Sequence, residues 1–170
     1  MNELRQRILE LDAETVLALN GYFEAAGEYR RLGEVAYIAV MAVAMNRAEH
    51  PADWQESVQE VVAAHRQFSW TNWDNVIRDP QYPMALKFAR EPMRAWDKAW
   101  LASQDAARRV VDAAVLNPVQ NATFYFNPHI CNPSWAKKLH LVRDIGNHRF
   151  FAAPGDQKIL WACKRSEGWE

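Results

Sequence analysis

Several features that would point at once to a function are scarce in this chain. It has two cysteines, Cys131 and Cys163. They have no metal-type spacing, so neither a secreted disulfide framework nor a cysteine-rich zinc module is built in, and a single pairing of the two stays open. No sign of charge dominates. Lys and Arg number 20 against 21 Asp and Glu, a formal net charge of −1, which leaves no global positive field for nucleic acid or an anionic membrane. The longest apolar run, Val35 to Met45, is too short to cross a bilayer, so membrane insertion is not expected. The opening stretch MNELRQRILELDAE lacks the apolar segment and small-residue cleavage site of a secretion signal. Synthesis in a cytoplasm, without a signal peptide, is the expectation. Phosphate loops, nucleophile elbows and nucleotide fingerprints are also missing, as are repeats and linkers.

What remains is one globular core. The 170 residues, 49% hydrophobic and 24% charged, suit one domain spanning residues 1–170 and not two. Eight tryptophans are many for this length, and aromatic faces serve either a core or a binding cleft. Asp12 predicts an N-cap for a helix ending near Glu28, with Val16, Leu19, Phe23 and Ala26 as its buried face. Asn20, Glu24 and Glu28 follow one another at i, i+4 and i+8 on another stripe. EYRRLG reads as a joint. The helix from Glu34 to Arg47 is apolar nearly all round and reads as a central buried helix.

Asp53 with Glu56 resembles a capping box opening a helix that ends near His65. Residues 83–117 read as one helix, bent at Pro92. The pattern then changes to NATFYFNP, LHLVRD, HRFFAA and KILWACK, short strand-like runs between turn signals. The fold class expected is α+β, predominantly α, with a small antiparallel sheet in the C-terminal third.

Four groups of residues could carry chemistry. Glu28, placed at a helix C-terminus beside apolar structure and one turn from Glu24, is expected to hold its proton to unusually high pH. The dipole, desolvation and like charge all act in that direction. Such a glutamate suits a general acid; the competing reading is a surface ion pair with Arg30 or Arg31. QFSWTNW offers polar groups from Gln67, Ser69, Thr71 and Asn72 beside the flat faces of Phe68, Trp70 and Trp73. That mix suits a sugar ring, and equally suits a loop plugged into the core. Tyr125, on a strand, would point opposite to Phe124 and Phe126 and could reach a cleft. His129, Cys131, His140 and His148 match no standard zinc spacing, so no metal is expected.

Taken in order, EAAGE, an apolar helix closing in MNRAEHP, QFSW, NATFYFNP followed by PSWAKKL, and DIGNHRFF resemble the spore cortex-lytic family of cell wall hydrolases, a domain that phages use in endolysins. The resemblance runs from about Glu14 to Phe151. It implies a lysozyme-like fold, peptidoglycan glycan strands as the partner, no cofactor, and one catalytic glutamate, falling on Glu28. Gln67, Phe68, Ser69 and Tyr125 would line the sugar cleft, with Trp70 beside them. The chain departs from the family in a longer joint after Glu28, in Ala26 where arginine is common, and in Phe124 where histidine is common.

The reaction implied is cleavage of the β-1,4 bond between N-acetylmuramic acid and N-acetylglucosamine, with the 6-hydroxyl of muramic acid as nucleophile and a 1,6-anhydro end as product. Hydrolysis would need a well-placed water or a second carboxylate, for which Asp74 and then Glu24 are the candidates. An amidase and a non-catalytic wall-binding domain are the other readings. A monomer that reaches the wall through holes in the inner membrane, as an endolysin does, is the expected setting.

Overall fold

The computed structural model of the chain describes residues 1–50 and 53–154. Six helices precede a three-stranded sheet: α1 (Glu3–Glu10), α2 (Ala13–Leu32), α3 (Val35–Ala48), α4 (Val58–Ala63), α5 (Tyr82–Arg90), α6 (Lys98–Val111), β1 (Phe124–Phe126), β2 (His140–Ile145) and β3 (His148–Ala152). The α+β, mainly helical class expected from the sequence is the one observed. The KILWACK run and Cys163 lie outside the described residues.

α3 is the centre. Tyr37 and Val40 to Ala44 are wholly buried, as expected of a helix apolar on every side. α2 and α6 pack against it, and small residues let them approach. A Cβ on Gly21 would stand 2.4 Å from Met41 Cε and 2.8 Å from Ser103 Oγ. Polar groups at these helix contacts find partners. Ser103 Oγ donates to the Ala18 carbonyl at 2.7 Å, and Tyr37 donates to the Ala99 carbonyl at 3.2 Å.

Three boundaries differ from expectation. α2 does not stop at Glu28 but runs to Leu32, closed by Gly33 at φ 71°, a left-handed cap that glycine adopts without strain. The supposed joint is its last turn, so Glu28 is not at a helix end. The capping box lies one turn later than Asp53 and Glu56: Ser57 accepts from the Glu60 N–H at 3.2 Å and donates to the Glu60 carboxylate. The helix expected over 83–117 is two. Pro92 cannot continue α5 and disfavours helical geometry at Glu91, which sits at φ −129°, ψ 58°. Asp97 then caps α6 by accepting from Trp100 N–H at 2.7 Å.

The sheet has the order β1-β3-β2, all antiparallel. Tyr125 pairs with Phe150, and Ile145 with His148 across the two-residue turn Gly146–Asn147. Gly146 takes φ 59°, which suits the first central position of a type II′ hairpin. The end of α3 ties the sheet to the helices: Asn46 Nδ2 donates to the Gln120 and Ala122 carbonyls, and Arg47 Nε to the Thr123 carbonyl at 2.7 Å. Among the described residues no helix is long and apolar enough to cross a membrane.

Candidate active site

The Asn20, Glu24, Glu28 stripe of α2 passes from core to cleft to sheet. Asn20 is fully buried; it donates to the Val40 carbonyl and accepts from Trp70 Nε1, both at 3.4 Å. One turn on, Glu24 lies in an open cleft of about 300 Å³ between α2, the end of α3, the Gln67–Ser69 segment and the sheet. Gln67, Ser69 and Tyr125 line the same cleft. Phe126, Asn127, Ile130 and Cys131 form its far wall. One further turn on, Glu28 leaves the cleft and meets the hairpin turn, where both its oxygens accept from Asn147 N–H at 3.1 Å.

Glu24 is where chemistry is concentrated. Tyr125 donates its hydroxyl hydrogen to Glu24 Oε2 at 2.7 Å, and Oε1 takes no hydrogen bond from the described residues. Although the residue borders the cleft, its carboxyl lies among protein atoms. Burial pushes its pKa up to about 7, against smaller opposing pulls from the Tyr125 hydrogen bond and the Arg47 guanidinium, with Asp79 adding slightly to the rise. A carboxyl protonated near neutral pH can act as a general acid. Since Tyr125 donates to Oε2, the acid proton belongs on Oε1. The tyrosine is itself held well above its ordinary range, first by burial and then by Glu24, so it stays a donor.

Arg47 completes the site, and the sequence reading passed over it. It is 6% exposed and donates to Gln67 Oε1 at 3.3 Å as well as to Thr123. Its guanidinium lies over the rings of Trp54 and Phe68, 4.4 and 5.3 Å from their centroids. Burial lowers its pKa to about 10, which still leaves it charged beside Glu24. The signal was present: one cation ending an otherwise apolar helix requires a buried partner.

Two expected sugar contacts are corrected. Phe68 and Trp70 are 2% and 0% exposed and serve the core, where Trp70 stacks on Phe23 with centroids 5.4 Å apart. Their segment forms a single 3-10 turn at Ser69–Thr71, which sends Ser69 to the cleft and Trp70 inward. Asp74 is not at the cleft either. It accepts from the Val76 and Ile77 N–H groups at 2.7 Å, and these bonds hold its carboxyl below the usual range. Among the described residues no three or more His, Cys, Asp or Glu converge as metal ligands. His148 instead lies 3.4 Å from Glu28 through Nδ1. Burial lowers its pKa, Glu28 restores part of it, and the ring is uncharged near neutral pH.

A helical body with a small sheet holds a glutamate of raised pKa beside an open cleft lined by hydroxyl and amide groups. The chain belongs to the cell wall hydrolase family, whose model matches residues 33–151. That span begins just after α2, so both glutamates precede it. In fold the chain is similar to the catalytic domain of the germination-specific lytic transglycosylase SleB from Bacillus anthracis. The TM-score is 0.55 at 18% identity, covering 89% of this chain and 97% of that one. The catalytic domain of the Bacillus cereus SleB protein gives a TM-score of 0.49 at 22% identity, covering 82% and 90%. No curated protein matches the sequence.

Proposed function

We propose that this enzyme degrades peptidoglycan by cleaving the β-1,4 bond between N-acetylmuramic acid and N-acetylglucosamine, with Glu24, in place of Glu28, as the single acid and base. The observation that carries the proposal is the desolvated Glu24 carboxyl, bonded by Tyr125 and facing the Gln67–Ser69 wall. Its Oε1 proton passes to the glycosidic oxygen as the bond to the anomeric carbon breaks and positive charge develops on the sugar. The resulting carboxylate, beside the Arg47 cation, then takes the proton of the muramic acid 6-hydroxyl while that oxygen bonds to the anomeric carbon. The 1,6-anhydro end forms, and Glu24 is again protonated. One protein carboxylate suffices, because the nucleophile is already part of the substrate.

Transglycosylation is favoured over hydrolysis on two grounds. The neighbour in fold from Bacillus anthracis is described as a lytic transglycosylase. Asp74, the first candidate for a hydrolytic base, is bound into its own turn. The endolysin setting belongs to the same proposal.

Mass spectrometry of fragments released from purified peptidoglycan tests the reaction type. Anhydro-muramic ends are expected. Reducing muramic ends would make the enzyme a muramidase, free stem peptides an amidase, and no fragments a wall-binding domain.

A further inference from the structure

Glu28 does not line the cleft, yet its side chain is only 11% exposed and is wholly engaged. Its oxygens accept from Asn147 N–H, and Oε1 approaches His148 Nδ1. Gly146 sits so close that a Cβ there would stand 1.9 Å from Glu28 Oε2 and 2.6 Å from Leu32 Cδ1. Arg31 Nη2 adds a hydrogen bond to Asn147 Oδ1 at 3.3 Å. The tip of the β2–β3 hairpin is thus clamped to α2, one helical turn beyond Glu24.

The clamp lies at the start of β3, the strand paired with β1, which carries Tyr125. His148 meets the Tyr125 ring edge-on, centroids 5.3 Å apart at 86°. Phe150, two residues along β3, stacks on the ring's face at 5.4 Å. Between them they fix the ring whose hydroxyl reaches Glu24 Oε2.

We infer that Glu28 is a positioning residue: by holding Gly146 to His148 against α2, it sets the Tyr125 ring and so aims the tyrosine hydroxyl at Glu24. The inference rests on Glu24 being the acid. The two glutamates then divide the work along one helix face, Glu24 moving the proton and Glu28 fixing the group that orients it. A clamp that served folding alone would change stability and leave turnover per folded molecule untouched.

A kinetic double-mutant cycle tests this. Wild type, Glu28→Ala, Tyr125→Phe and the double variant are assayed on a soluble glycan strand of defined length, with rates normalised to folded protein by circular dichroism. Misplacement of a catalytic group by about 1 Å costs on the order of 10²-fold. Glu28→Ala is therefore expected to lower kcat by roughly that factor while KM changes less than about twofold. Because Glu28 acts through Tyr125, the double variant is expected to be no slower than the slower single one. Additive losses, or an unchanged kcat in Glu28→Ala, overturn the inference. If Glu28→Ala does not fold, Glu28→Gln carries the same cycle; it keeps an acceptor oxygen for Asn147 N–H and should lose about tenfold or less, again without additivity. Glu24→Gln, run alongside, separates the two ideas. Background turnover in that variant upholds the acid, whatever the cycle shows. Near-normal turnover in it removes the acid and this inference with it.

Discussion

Glu24 joins two properties that pull against each other. In the proposed role its carboxyl serves as the acid because burial keeps it protonated, and for the same reason it is a burden on the fold once it ionises. The folded chain holds this proton more tightly than the unfolded chain, from about 4.5 up to about 7. The associated stability is therefore present at low pH and lost as pH rises through that window. Glu24→Gln has the same shape and cannot ionise. Relative to wild type it should match stability near pH 4 and exceed it by up to about 3 kcal/mol above neutral pH. Urea unfolding of both proteins across pH measures this, and a constant difference would show that Glu24 is not desolvated. Much of the site was legible at this scale. Gln67, Ser69 and Tyr125, expected to share a cleft, line the same one. Phe68 and Trp70 were misread because composition does not say which side of a three-residue turn each side chain takes. Arg47 was missed because an apolar helix drew attention to its core face and away from its last turn.

At the scale of elements, α3 was readable because an all-apolar helix has one place to go, the centre. α2 was not read to its end, because Gly27 and EYRRLG resemble a break. Gly27 costs the helix something as a mid-helix glycine, yet Tyr29 stacks on Tyr37 with centroids 4.7 Å apart and Leu32 packs on the core. Tertiary contact carries the last turn past weak local propensity. That extension moved the helix terminus away from Glu28 and removed the dipole argument for its role. The close approach of α2, α3 and α6 at Gly21 gives a test of the packing. Gly21→Ala would drive a Cβ into Met41 Cε and Ser103 Oγ. The methionine tip can yield, but Ser103 is tied to Ala18. A loss of about 1–3 kcal/mol is expected from thermal unfolding, and a gain would mean that the helices separate freely.

Across the whole molecule, the helical body supplies Glu24, the proposed acid, and the sheet supplies Tyr125, whose hydroxyl bonds to it. Glu24 and Tyr125 stand 101 residues apart, and two ties bring them together: the end of α3 holds the approach to β1, and α2 holds the β2–β3 turn. Order and class of these parts were readable from local pattern. Their meeting point was not, because register and hairpin docking depend on long-range contacts that no short motif encodes. The central claim, that Glu24 and not Glu28 donates the proton, is tested most directly by the initial rate of fragment release from purified peptidoglycan by Glu24→Gln and Glu28→Gln, each shown to be folded. The account predicts background release with Glu24→Gln and a rate within about tenfold of wild type with Glu28→Gln. Background release with Glu28→Gln, together with near-normal release by Glu24→Gln, would contradict it.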